Sequence, residues 1–265
     1  ENRTGRQLFE RVKRGIQLSE AGRDVYPRLT MAFQDVREVS EVLRHRVAPS
    51  KLTISVPPSV ATCWLPDKLG NFIAQEPNTS VRMREDQDPV DLEVERIDLR
   101  LSYGSFPSQG AKVVAQVSDT VVAVCTKDYF EKHNSRTEPI FFPTGHLIST
   151  DWGNASARFP SWSDFLGEDI RRPMHTVSSS HAALSLARAG LGVALIQKLY
   201  AAKLLRSNYL VLASPQHLAL AQSYCVSARV ASMQRPLTKR FSEWFVAQLQ
   251  TDVATPSSPE GKLSK

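Results

Sequence analysis

Lys51-Leu52-Thr53-Ile54-Ser55-Val56, followed by Pro57-Pro58-Ser59, decides how this chain folds. Apolar and β-branched residues fill the run, and two prolines, which cannot donate to a ladder, stop it, so it reads as a strand. Ser59 is placed to cap a helix running through Trp64, Leu65, Leu69 and Phe72 to about Gln75. Thr79–Glu85 alternates as a strand, Val90–Glu95 reads as a short helix, and Ile97–Ser102 as a strand closed by Gly104. Strand, helix, strand, helix, strand is the order of a parallel α/β sheet.

Downstream the alternation continues. Lys112–Val117, Thr120–Thr126, His146–Thr150, Met174–Ser178, Val193–Ile196 and Tyr209–Ala213 read as strands. Lys127–His133, Ser161–Leu166, Ser180–Ala189 and Lys198–Leu205 read as the helices between them. Gly190, in Gly190-Leu191-Gly192, supplies the left-handed residue that ends a helix. Leu218–Ala228 reads as one apolar strand, long enough to cross between two lobes. Pro236–Gln250 is an amphipathic closing helix carrying Phe241, Trp244, Phe245 and Leu249, and the polar tail from Thr255 is expected to be disordered.

Upstream of the sheet the pattern is different. Gln7-Leu8-Phe9-Glu10-Arg11 and Ile16-Gln17-Leu18 flank Gly15, as two short strands joined by a basic tip would. Arg11, Lys13 and Arg14 would then lie beside a phosphate backbone, giving affinity without base readout. Ser19 is placed as an N-cap, and from there to about Arg46 the pattern is helical. Val25, Leu29, Val36 and Leu43 fall on two seven-residue series, so the helix is a candidate dimerisation element. Helix packing within its own domain is the competing reading, and Gly22 is a weak seam residue. Pro49 and its polar neighbours mark a linker.

Composition bounds the function. With 265 residues, 42% hydrophobic and 23% charged, the chain fits two or three ordinary globular units. The opening Glu1-Asn2-Arg3-Thr4-Gly5 has no apolar segment and no Met, and reads as the start of a piece of a larger protein. Cys63, Cys125 and Cys225 are distant and odd in number, which argues for buried thiols and a cytoplasmic setting. The net charge of +6 hints at an anionic partner. No nucleophile elbow, phosphate loop or dinucleotide turn is present, and the six histidines lack metal spacing. A cleft that binds rather than transforms is the consequence, with no cofactor expected.

Hydroxyls locate that cleft. Ser59 and Thr62, Ser102 and Tyr103, and Ser178 and Ser179 each follow the end of a strand. A serine before a helix is an ordinary cap, but three such junctions at equivalent positions point to a ligand at the strands' carboxyl ends.

The residues also resemble a known family. Gly5-Arg6-Gln7-Leu8-Phe9-Glu10-Arg11 with Leu18-Ser19-Glu20-Ala21-Gly22 is similar to the wing and linker-helix start of LysR-type regulators. Trp64-Leu65-Pro66 with Phe72 and Pro77, Asp98-Leu99-Arg100 with Gly104, Ala189-Gly190-Leu191-Gly192-Val193-Ala194, and Phe241 with Trp244 resemble its sensing domain. Asp98-x-Arg100 and Trp162 look most like the branch of glycine-cleavage activators and β-lactamase regulators. The resemblance implies an α/β fold: a two-lobed, type-II periplasmic-binding-protein-like effector domain, preceded by a winged helix-turn-helix remnant and a long linker helix. It divides the chain into a wing remnant (1–18), a linker helix (19–47), lobe 1 (52–119 and 220–250), lobe 2 (120–219) and a tail (251–265). It implies a homodimer or homotetramer on promoter DNA, no membrane, and a small anionic or amphoteric effector between the lobes. The effector residues it implies are Ser59, Thr62, Ser102, Tyr103, Asp151, Trp152, Ser178 and Ser179. A periplasmic-type solute-binding protein without catalytic activity is the alternative, and it leaves the seven-residue helix without a role.

Overall fold

The computed structural model describes residues 6–12, 15–44, 50–86, 90–104, 110–133, 145–151, 159–167 and 174–254. The chain divides into two compact units, one of residues 1–50 with 78–80 and one of the remainder.

In the first unit, strands β1 (Phe9–Val12) and β2 (Gly15–Leu18) form an antiparallel hairpin with Phe9 opposite Leu18. Helix α1 (Glu20–Arg44) follows. The Ser19 hydroxyl accepts the Gly22 N–H at 3.0 Å and donates to the Gln7 carbonyl at 2.7 Å, so one side chain caps the helix and ties it to the hairpin. Gly22 is required there: a Cβ would fall on the Leu8 carbonyl oxygen. The weakness of Gly22 as a seam residue thus has a reason, because it packs against the hairpin. Val25, Leu29, Phe33 and Val36 are exposed, at 37%, 46%, 69% and 62%.

The second unit holds two five-stranded sheets. The first has strands β3 (Ser50–Val56), β4 (Thr79–Glu85), β5 (Leu99–Tyr103), β6 (Ala111–Val117) and β12 (Tyr224–Arg229), in the order β4-β3-β5-β12-β6. The second has β7 (Thr120–Thr126), β8 (Leu147–Thr150), β9 (Met174–Val177), β10 (Val193–Gln197) and β11 (Leu210–Ala219), in the order β11-β7-β10-β8-β9. Both are mixed, not purely parallel: β3 runs parallel to β5, and β10 and β9 parallel to β8, while β12 and β7 run antiparallel to their neighbours.

Helices α2 (Pro58–Cys63), α3 (Leu65–Gln75) and α8 (Pro236–Ala254) cover the first sheet. Phe72 meets Phe241 edge-on at 4.9 Å, and Trp64 meets Phe245 at 5.3 Å. Helices α4 (Lys127–His133), α5 (Trp162–Leu166), α6 (Ser180–Arg188) and α7 (Lys198–Arg206) accompany the second. One expected helix, Ser59 to Gln75, is two, because Pro66 cannot continue a helix begun upstream and Trp64 turns between them. Val90–Glu95 is a turn, not a helix, since the Asp91 carboxylate takes the N–H groups of Glu93 and Val94.

The chain crosses between the sheets twice. Leu218–Ala228 is not one strand: β11 ends at Ala219 in the second sheet and β12 begins at Tyr224 in the first. The other crossing is Ser118-Asp119, between β6 and β7. The two crossings are tied by a 2.9 Å bond between the Ser118 and Ser223 hydroxyls and by the Leu220 N–H to the Asp119 carbonyl. Asp119 is 2% exposed, and its carboxylate accepts the N–H groups of Thr120 and Leu199. Burial raises its pKa to about 6, against the pull of those two bonds and of Lys198.

A second carboxylate joins the helices. Asp252 of α8 accepts the Trp64 indole N–H at 2.8 Å, Lys68 Nζ at 2.8 Å and Arg206 Nη1 at 2.9 Å. Burial pushes this carboxyl up, and the three donors together outweigh it, holding it below its ordinary value.

Candidate functional site

Four strands end where the two sheets approach each other. At the first end, Val56 is followed by Pro57, whose carbonyl accepts the N–H groups of Val60 and Ala61 at 3.0 and 3.1 Å. Pro57 is therefore the N-cap, with Pro58 pre-set for the first helical turn, and Ser59 lies inside α2 rather than capping it. Ser59 is half-buried, while Thr62 is exposed and its hydroxyl folds back onto the Pro58 carbonyl at 2.9 Å.

At the end of β5, the Ser102 hydroxyl is buried and donates to the Gly104 carbonyl at 2.8 Å. It shapes the turn and presents nothing to solvent. Gly104 has φ +88°, and a Cβ there would strike the Gln222 side chain. Tyr103 reaches across the lobes: its ring stacks on Phe159 at 4.5 Å and 23°, and its hydroxyl accepts the Gln222 N–H at 3.1 Å.

In the second sheet, Thr150 of β8 lies opposite Val177 of β9, and the Asp151 N–H extends the ladder to the Val177 carbonyl at 2.7 Å. Asp151 and Ser178 thus leave adjacent parallel strands side by side, and both are exposed. Ser179 caps α6, accepting the Ala182 N–H at 3.4 Å. Gly190, at φ +71°, closes the same helix in the left-handed conformation.

Ser149, Thr150, Asp151, Phe159, Pro160, Ser161, Trp162 and Leu195 line a cavity of about 240 Å³. Its floor is rigid: the Trp162 indole donates to the Ile148 carbonyl at 2.9 Å, and Ser161 and Asp164 form a reciprocal capping box on α5.

The structure therefore places Asp151 in the cavity wall, Ser178 beside Asp151, and Tyr103 behind the cavity's Phe159. Ser59 and Thr62 sit on α2, which packs against α6, the helix that Ser179 caps. Lys13, Arg14 and Trp152 lie outside the described residues, as does the side chain of Leu43, and Arg11 is exposed. Sequence reasoning missed Phe159 and Thr150, which line the cavity; Thr150 ends β8 and was read only as part of that strand. Among the described residues no group of histidine, cysteine and carboxylate side chains is arranged to hold a metal. No described helix is long and apolar enough to cross a membrane.

Two α/β lobes, joined by two short crossings and meeting over polar strand ends, define a binding module of the two-lobed, periplasmic-binding-protein-like class. Residues 45–250 match the family described as the LysR substrate binding domain. The chain belongs to the LysR-type transcription regulators, and this stretch is their effector-binding domain.

The transcriptional activator AmpR of Enterobacter cloacae is 25% identical over 247 residues, covering 92% of this chain and 82% of that protein. The regulator DsdC of Escherichia coli K12 is 24% identical over 256 residues, covering 95% and 82%. Among solved structures, the AmpR effector domain of Pseudomonas aeruginosa matches with a TM-score of 0.55 at 19% identity, over 77% of this chain and 97% of its own. CrgA of Neisseria meningitidis matches with a TM-score of 0.57 at 16% identity, over 96% and 86%. These likenesses agree with the expected fold and family, and do not favour a free-standing solute-binding protein.

Proposed function

We propose that the chain senses a small metabolite held between its lobes and passes the change in lobe geometry to paired copies on promoter DNA. The observation that carries this reading is a cavity with Asp151 in its wall, Ser178 beside Asp151 on the adjacent strand and Tyr103 of the other lobe stacked on its Phe159, together with two tied crossings that could serve as a hinge. The domain division set out above (1–18, 19–47, 52–119 with 220–250, 120–219, 251–265) belongs to this reading, and the change of sheet at Ser118-Asp119 and at Leu220–Ser223 supports its two lobe boundaries. So do a cytoplasmic location and the absence of catalysis, supported by relatives that are named as regulators.

The mechanism is a population shift: the effector stabilises one closure angle in proportion to its preference for it. Ser59, Thr62, Tyr103, Asp151, Trp152, Ser178 and Ser179 are the residues proposed to face the effector, with Ser102 holding the turn that presents Tyr103. Arg11, Lys13 and Arg14 are proposed to meet the DNA backbone, and the exposed Val25, Leu29 and Val36, with Leu43, to pair two helices.

A thermal-shift screen against a metabolite library tests it. A ligand at 100 times its Kd stabilises the native state by about 2.7 kcal/mol, roughly 5–10 °C for a domain of this size. The expected hit is lost on Ser178→Ala or Ser59→Ala; a hit indifferent to both would move the site out of the cleft.

A further inference from the structure

A second cavity, also of about 240 Å³, lies where α3 and α8, over the first sheet, meet α7 of the second. It shares no lining residue with the cavity beside Phe159. Three cations stand in its wall, Lys68 of α3 and Lys203 and Arg206 of α7, together with two carboxylates, Asp67 and Asp252. A fourth cation is close by: burial pushes the lining Cys63 thiol up to about 11, and the Arg188 guanidinium pulls against that rise.

Both carboxylates are already engaged. Asp252, its side chain 2% exposed, has one oxygen on the Trp64 indole and Lys68 and the other on Arg206. Asp67, 44% exposed, takes Lys203 at 2.6 Å. Each lining cation gives a single N–H to these carboxylates, although an ammonium carries three donors and a guanidinium five. Four cations against two carboxylates leave two positive charges uncompensated. A basic last turn is ordinary on a helix such as α7. These residues differ in facing Lys68 across a hollow, at the start of the eleven-residue α3, whose N-cap Trp64 offers no side-chain acceptor. Pockets for drug-sized ligands usually span about 300–1,000 Å³, so a ligand of this hollow is small.

We propose that this cavity is a second ligand site, for a small dianion of the phosphate kind, held by Lys68 on one side and by Lys203 and Arg206 on the other. The anion replaces Asp67 as the partner of Lys203, and the exposed Asp67 turns to solvent. Lys68 and α7 belong to different sheets, so an occupied site ties the two lobes where they already share an apolar core. Inorganic phosphate and a phosphate monoester share this chemistry, and the test separates them.

The test is calorimetric titration of the protein with inorganic phosphate, glycerol phosphate and acetate at constant ionic strength. Phosphate also stabilises folded proteins by exclusion from their surface, so the heat of binding is read rather than the melting temperature. Phosphate or glycerol phosphate binds saturably, the tighter of the two names the source, and acetate, with one charge, binds more weakly. Lys203→Gln weakens binding about three- to tenfold. Asp67→Asn strengthens it about two- to threefold, because a competing negative charge has gone. The two variants break the same exposed ion pair, so a general loss of stability would move both affinities the same way. Lys127→Gln removes a like charge from exposed α4 and changes affinity less than about twofold.

No saturable heat with either phosphate, acetate binding as tightly as phosphate, or weaker binding in Asp67→Asn would overturn the assignment. An equal loss in Lys203→Gln and Lys127→Gln reduces the effect to general charge and overturns it. Binding indifferent to both Lys203→Gln and Asp67→Asn places the anion elsewhere and overturns it too.

Discussion

Removing the Asp252 carboxylate should cost more stability than any single surface ion pair could, for reasons that can be counted. Its side chain is 2% exposed and holds Trp64, Lys68 and Arg206, on elements that also meet through an apolar core and through the more exposed Lys203–Asp67 pair. In Asp252→Ala the buried Trp64 indole N–H loses its acceptor, a loss of about 1–3 kcal/mol. Lys68 and Arg206 side chains are 19% and 41% exposed, so water recovers most of their loss and each adds only about 0.5 kcal/mol. The total is about 3 kcal/mol, or roughly 6–12 °C in Tm for a domain of this size.

Asp252→Asn keeps one acceptor oxygen and should lose about half as much. The folded carboxyl sits below its ordinary value, so its contribution is full above the unfolded pKa and fades as pH falls through the folded one. The gap between wild type and Asp252→Ala should therefore be constant from pH 7 to 5 and narrow in stronger acid. Scanning calorimetry across that range is the assay. An alanine variant melting within a degree of wild type at pH 7, or a gap that persists unchanged in strong acid, would refute the reasoning.

Asp119 should show the opposite pH dependence. With a folded pKa of about 6, its stabilising contribution is present below the unfolded carboxylate pKa and lost as pH rises through 6, so wild type gains about 1 kcal/mol from pH 7 to 5. Urea unfolding of Asp119→Asn should lack that gain. Gly192→Val places a Cβ 2.7 Å from the His146 carbonyl oxygen, where β10 meets β8, and should cost about 2 kcal/mol by overpacking, read as a lower urea midpoint. Leu29→Glu with Val36→Glu puts charge on an exposed helical face, and sedimentation should show weaker self-association with the melting of the effector domain unchanged.

What the sequence disclosed, and what it hid, follow from how far each signal reaches along the chain. Local chemistry was legible. Ser19 caps α1 as its position suggests, Gly190 closes α6, and Phe241, Phe245 and Leu249 are fully buried where the amphipathic pattern puts them. Competing local bonds were harder to see: Asp91 turns its own backbone amides away from a helix, and Pro57 takes the cap that Ser59 seemed to offer. Sheet membership was hidden. Leu218–Ala228 is mostly apolar, and although Gln222-Ser223 interrupts it, nothing in its composition records that β11 and β12 pair with different partners. Among the proposed effector residues, Ser178 was singled out by its place after a strand and Asp151 by the family resemblance. The burial of Gln197 was not legible, because a terminal glutamine reads as an exposed strand end, yet it is 4% exposed.

The unequal strength of the contacts between the lobes bears on how an effector could act. Along one side the lobes share an apolar core, with α2 packed against α6 and α7, and Asp252 ties α7 to α2 and α3. Near the cavity Tyr103 of one lobe stacks on Phe159 of the other, worth about 0.5–1.5 kcal/mol beyond its buried area. A ligand beside Phe159 therefore meets the weaker link first. To displace that stack it must prefer the rearranged lobes by at least the same amount, and a preference of about 1.4 kcal/mol shifts the ratio of the two forms tenfold. The core and the Asp252 hub resist by several times more. A change of lobe closure under the proposed mechanism would turn about the tied crossings at Ser118 and Ser223, where the chain passes from one sheet to the other.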